Sequence, residues 1–144
     1  NARNETPLTT TGELSSLVDA CVPTREPGKH PATRTFQALR LFINQELAEL
    51  DAVLPQALDM LEPGGRLVII SFHSLEDRRV KRFFQDAAKC DPFPPDLPIR
   101  AKEISPVILR PSRPQRPSEG EILDNPRARS AILRWAQKSP SRQI

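Results

Sequence analysis

The chain has 144 residues, 38% hydrophobic and 27% charged, with 21 lysines and arginines against 18 acids for a formal charge of +3. That is enough chain for one hydrophobic core, and the modest positive excess leaves room for a local basic face without identifying a nucleic-acid partner. No apolar run reaches the ~20 residues of a membrane-spanning helix, and no charged-then-apolar leader opens the sequence, so a soluble cytoplasmic protein with no membrane contact is expected.

Cys21 and Cys90 stand far apart, without partners at metal-ligand spacing. They read as free thiols, and neither a disulfide framework nor a metal site is expected. The chain opens on Asn1 in NARNETPLTTTGEL, which lacks the character of a natural amino terminus. The reading frame is expected to continue upstream.

The first helix is announced by TTTGELSSLVDACV, where Thr10 as N-cap and Glu13 three residues on have capping-box spacing. Leu14, Leu17 and Val18 share one face, and Pro23 stops the helix ahead of the loop PTREPGKHP. Residues 31–61 form the longest helical region, with Pro31 suited to its start. Because Pro55 has no amide hydrogen to donate, two helices with a break near 45–54 are expected.

EPGG then stops the helix, and RLVIIS is a short continuous apolar run. That pattern predicts a strand covered on both faces, as in a parallel sheet between helices. Another helix follows to about Ala88, with Ser74 as its cap and Asp77 at the capping-box position. Val80, Phe83, Phe84 and Ala87 point inward; Arg78, Lys81 and Arg82 point out.

Residues 91–117 hold eight of the sixteen prolines, which excludes helix and central strand there. ISPVIL (104–109) is a short strand candidate interrupted by Pro106. ARSAILRWAQK (128–138) alternates with the period of a strand, helix being the alternative. The sum is an α/β chain with two or three strands, which looks like half of a doubly wound fold.

Several chemistries are excluded at once. No glycine-rich loop follows a strand and opens a helix, since PGG stands on the wrong side of its strand for cradling phosphate. GxSxG is absent, so a serine hydrolase is rejected and Ser74 reads first as a cap. His73 follows the strand and precedes the helix, at the carboxyl edge of the sheet, where ligands of open α/β folds gather and an imidazole can exchange a proton near neutral pH. The competing reading is a structural histidine bonded to backbone or carboxylate. Arg78, Arg79, Lys81 and Arg82, with Lys29, Arg34 and Arg40 upstream, are candidates for phosphate contacts against the plain alternative of a solvated surface. Arg110, Arg113 and Arg116, spaced by prolines, form a second extended basic segment.

Three blocks, KHPATRTFQALR (29–40), PGGRLVIISFHSLEDRRVKRFF (63–84) and NPRARSAILRWAQK (125–138), closely resemble the bacterial 16S ribosomal RNA cytosine-N4 methyltransferase family. The resemblance runs over essentially the whole chain. It implies an S-adenosylmethionine-dependent enzyme acting on the N4 amine of a cytidine in 16S rRNA of the small ribosomal subunit. It implies the carboxyl-terminal half of a Rossmann-like class I methyltransferase fold, with residues 1–30 ending a helical insertion domain and 31–144 completing the methyltransferase domain. The family's cofactor motifs match nothing in these residues, so no cofactor-binding residue is assigned. His73 and Ser74 become candidates for the catalytic edge on the substrate side, and Lys29, Arg34, Arg78, Lys81 and Arg82 for RNA contact. A non-catalytic RNA-binding or ribosome-associated module is the alternative. A half-domain with an open sheet edge, prone to associate as a homodimer, is a third reading.

Overall fold

The computed structural model describes residues 7–23, 25, 27–89, 106–109 and 111–140. The chain divides into two compact units, Asn1–Glu46 and Leu47–Ile144.

In the first unit, α1 (Thr11–Cys21) starts at the expected box: Glu13 N–H donates to Thr10 Oγ1 at 3.2 Å, and Glu13 Oε2 accepts from Thr10 N–H at 3.0 Å. Two otherwise orphaned amides are thereby satisfied. Those same backbone donors, from Thr9 first and then Thr10, hold the Glu13 carboxyl below its ordinary pKa. Helix α2 (Thr33–Asn44) follows a turn at Pro31–Ala32 in which His30 Nδ1 accepts from Ala32 N–H at 3.2 Å. It ends at Gln45, whose φ of 51° is left-handed, a conformation more often given to glycine at helix ends.

The expected break therefore comes at Gln45, while Pro55 remains inside α3 (Glu46–Met60). Proline costs that helix one hydrogen bond, but Pro55 lies on its exposed side, with Leu54 and Leu58 buried on the other. Packing of the apolar stripe outweighs the local penalty. At the far end of α3 the Lys138 ammonium donates to the carbonyls of Leu58, Asp59 and Leu61 at 3.0, 3.1 and 2.8 Å. Those are carbonyls a helix end leaves open, and a cation there also complements the helix dipole.

Strand β1 (Arg66–Ser71) leads to α4 (Ser74–Ala87), then come α5 (Glu119–Asp124), a 3-10 turn (Pro126–Ser130) and β2 (Ile132–Gln137). β2 pairs antiparallel with β1, in the register Val68 with Trp135 and Ile70 with Leu133. Along the other edge of β2 runs the proline-rich segment. Leu109, Ser112 and Gln115 donate to the carbonyls of Gln137, Trp135 and Leu133 at 2.8, 2.8 and 2.9 Å. Donors three residues apart thus meet acceptors two apart. Pro111 and Pro114 fall between the donors, where no amide hydrogen is needed, so the segment forms a broken edge strand.

One expectation is corrected. β1 is not covered on both faces: among the described residues its partner is antiparallel, and Val68 and Ile70 are each 54% exposed. A continuous apolar run reports hydrophobicity and not which faces are covered, and here Leu67 and Ile69 face the core while their neighbours face out. The sequence reading also missed α5, although Ser118 and Glu121 stand at capping-box spacing and Glu121 N–H does donate to Ser118 Oγ at 3.2 Å. ARSAILRWAQK resolves as strand from Ile132, its first residues being 3-10. Of ISPVIL, Ile108 makes an isolated bridge to Lys138, and Ile104 and Ser105 lie outside the described residues. Cys21 is a free thiol, and Cys90 lies outside the described residues.

The core of the second unit gathers Leu54 and Leu58 from α3, Val80 and Phe84 from α4, Ile108 and Ala136. As expected, Phe83 and Ala87 pack against it. α4 is thereby held against the sheet with its first turn at the carboxyl end of β1.

Candidate nucleic-acid interface

The turn from β1 to α4 is built by two residues. His73 is the N-cap: its Nδ1 accepts from Glu76 N–H at 3.3 Å, and Glu76 Oε2 accepts from Phe72 and His73 N–H at 2.9 and 3.3 Å. The box expected at Ser74 and Asp77 is thus shifted by one residue, to His73 and Glu76. The reason is the backbone: His73 is extended (φ −141°, ψ 160°), as a cap must be, whereas Ser74 is already helical. An Nδ1 that accepts leaves the ring proton of the neutral imidazole on Nε2. That buried nitrogen lies 3.1 Å from Glu76 Oε1, ion-pair range without hydrogen-bond geometry. The imidazole is thus occupied by its own helix, while Ser74 is exposed beside it.

Asp77, released from capping, does something the sequence did not announce. Arg134 of β2 grips it with two hydrogen bonds, Nε to Oδ1 at 2.7 Å and Nη2 to Oδ2 at 3.0 Å. Both side chains are largely buried, and the Arg134 hydrogen bonds hold the Asp77 carboxyl below its ordinary pKa against the opposing effect of burial.

Of the predicted basic residues, Arg78 and Arg82 come together. With Arg79 they line a groove of about 370 Å³ between α3 and α4, floored by Leu47, Leu75 and Phe83. Arg79 is ion-paired to Asp51. Arg78 and Arg82 are one helical turn apart, about 6 Å between Cβ atoms, and both are exposed. Lys81 is exposed too but turns to the other flank of α4, beside Gln85, Pro111 and Arg134. Lys29 follows Gly28, whose φ is +73°, in a loop of the first unit, and Arg34 is in the first turn of α2; both are exposed. Arg113 and Arg116 are exposed on the broken edge strand and its exit, and Arg110 lies outside the described residues.

Residues 1–139 match the MraW methylase family. The chain belongs to that family. Its relatives include the ribosomal RNA small subunit methyltransferase H of Dechloromonas aromatica (strain RCB), 56% identical over 138 residues, which cover 95% of this chain and 45% of the relative. The same-named protein of Azoarcus sp. (strain BH72) is 55% identical over 95% of this chain and 44% of its own. That of Burkholderia ambifaria (strain MC40-6) is 57% identical over 92% and 42%. This MraW-family chain therefore spans less than half the length of the curated relatives it matches. Among its described residues no helix is long and apolar enough to cross a membrane.

Proposed function

We propose that this chain is the RNA-facing, carboxyl-terminal part of an S-adenosylmethionine-dependent enzyme that methylates the N4 amine of a cytidine in 16S rRNA, acting on the small ribosomal subunit in the cytoplasm. The observation that carries the reading is 55–57% identity, along more than nine-tenths of the chain, to proteins named as methyltransferases of small-subunit ribosomal RNA. In this reading residues 1–30 end a helical insertion and 31–144 complete a Rossmann-like catalytic domain. The strand directions support it: β2 runs opposite to both its neighbours, so β1 and the broken edge strand are parallel, with their carboxyl ends on one edge.

S-adenosylmethionine, when bound, supplies an electrophilic methyl group. The residues described here do not fit that group. The turn after β1 has no glycine, and the amides of Phe72, His73 and Glu76 are already taken by Glu76 and His73, so no glycine-rich cradle stands there. We assign the cofactor contacts to the part of the relatives' length that this chain does not span, and no step through the cofactor is drawn from these residues.

The task left to this chain is to hold RNA. The lone pair of a cytosine N4 amine is delocalised into the ring, which makes it a weak nucleophile that must be held in line at near-attack distance. Its base must leave the stack, and a proton must leave the nitrogen. In this account Arg78, Arg82 and Lys81 on α4, with Lys29 and Arg34, take phosphates. His73 and Ser74 stand at the substrate edge. His73 fixes the turn by capping it, and Ser74 offers an exposed hydroxyl. Homodimer formation by the isolated chain through β1 belongs to the same proposal, since that strand has no second strand partner among the described residues.

The test is to incubate the complete enzyme with unmodified small-subunit RNA and labelled S-adenosylmethionine, then digest the RNA to nucleosides. Label in N4-methylcytidine is expected. Label in another nucleoside, or none, rejects the reading.

A further inference from the structure

A second cleft, apart from the basic groove, opens at the carboxyl edge of the sheet. Ile70, the penultimate residue of β1, Leu133 beside it on β2, Ala131 and Pro117 give it apolar walls. Gln115, Arg116 and Glu121 supply its polar groups. Its volume is about 190 Å³. A cavity of ~150 Å³ accepts a benzene ring, so one planar heterocycle fits here and a helix or folded peptide does not.

The backbone beneath the exposed polar side chains is anchored. Gln115 is locked to Leu133 by two backbone hydrogen bonds of 2.9 Å, N–H to carbonyl in each direction. The backbone of Glu121 is fixed by its N–H donation to Ser118 Oγ at 3.2 Å. Arg116 makes no hydrogen bond or ion pair among the described residues. The nearby carboxylate of Asp77, which feels its charge, is already taken by Arg134. Apolar walls with one carboxylate, one amide and one guanidinium left to face a ligand match a small ring carrying both a donor and acceptors.

We propose that this cleft receives a nucleobase of the RNA strand and selects cytosine over uracil. The Glu121 carboxylate accepts from the exocyclic amine, the pairing by which acidic side chains read cytosine N4. Gln115 and Arg116 donate to the ring nitrogen and carbonyl beside it. Uracil turns a carbonyl toward Glu121 in place of the amine, and two acceptors then face each other with no proton between them. Glu121 and Gln115 are specificity residues in this account, and Glu121 also aims the amine. The inference rests on the methyltransferase reading only for which RNA arrives.

The experiment measures the affinity of the complete enzyme, by fluorescence anisotropy, for a short single-stranded RNA with one central cytidine. The same strand with uridine, or with no base, at that position completes the set. The wild type should prefer cytidine by about tenfold. Glu121→Gln should erase that preference and leave the abasic strand bound as before, because an amide can rotate to serve either base. Ala131→Leu, which fills the cleft, should bring cytidine down to the abasic level. The proposal is overturned if Glu121→Gln keeps the wild-type preference or weakens all three strands equally. A cytidine preference lost in Glu121→Gln, with no methyl transfer to ribosomal RNA by the wild type, would leave the cleft standing and reject the methyltransferase reading instead.

Discussion

Arg134 on β2 and Asp77 on α4, 57 residues apart in sequence, face each other in a two-pronged ion pair with bonds of 2.7 and 3.0 Å. The pair ties the helix that starts at the carboxyl end of β1 to the strand beside β1. A forked guanidinium on a carboxylate fixes direction as well as distance, so it sets the rotation of α4 and hence which side its arginines present. Removing either partner should cost about 2–3 kcal/mol, since a charge-assisted bond is lost and a largely buried charge is left alone. Urea unfolding of Arg134→Ala, Asp77→Ala and the double variant checks this. The double variant should cost much less than the sum of the two, and strictly additive costs would contradict the pairing.

The same pair sets an acid sensitivity. Asp77 has its pKa lowered by Arg134, so its folded pKa lies below its unfolded value of about 3.9. A depressed carboxyl stabilises the fold fully above the unfolded value and loses that contribution as pH falls through the folded one. Stability attributable to Asp77 should therefore be constant from neutral pH to about 5 and decline below about 4. Asp77→Asn should flatten part of that decline; an unchanged acid limb would show that Asp77 does not drive it.

At His73 the role of the cap separates from any role of the imidazole. Asparagine is among the best N-caps and alanine among the poor ones, so His73→Ala should lower stability by about 1 kcal/mol and His73→Asn by only a few tenths. If His73 serves the site by shaping the turn, His73→Asn also keeps methylation near the wild-type rate. Normal stability with methylation lost would instead assign the ring itself to the chemistry. Lysine at position 73 would clarify nothing, because it neither caps nor matches the ring.

The basic groove makes a claim about salt. If Arg78 and Arg82 each neutralise one phosphate of a single strand, the slope of log affinity against log salt should fall by roughly 0.7 for each arginine replaced by alanine. Arg79→Ala should change it less, because that guanidinium already serves Asp51. Equal slopes in all variants would remove α4 from the RNA path.

The parts of this fold legible in the sequence are those governed by neighbours along the chain. Thr10 and Glu13, the apolar face of Val80 and Phe84, and the alternation of ILRWAQ all act over a few residues, and each formed as read. The capping box of α4 was misplaced by one residue because histidine is an uncommon cap and Ser74 offered the common one. Asp77 was read as a cap for the same reason; its partner Arg134 is brought there only by the β1–β2 register, which no local pattern encodes. The break expected near 45–54 came at Gln45, and Pro55, the residue it was argued from, stays inside a helix that burial of Leu54 and Leu58 keeps whole. Of the candidate sites, the α4 cations were visible as a charge run. The Gln115–Glu121 cleft was not, because its walls come from three separated stretches of chain.

The central claim is that this chain belongs to the enzyme that marks a cytidine N4 in small-subunit RNA. It is tested most directly by deleting the gene that encodes it and analysing nucleosides from purified 16S rRNA by mass spectrometry. The account predicts that an N4-methylated cytidine disappears on deletion, returns with the wild-type gene, and stays reduced with an Arg78→Ala, Arg82→Ala variant expressed at the same level. An N4-methylcytidine content unchanged by the deletion would contradict it.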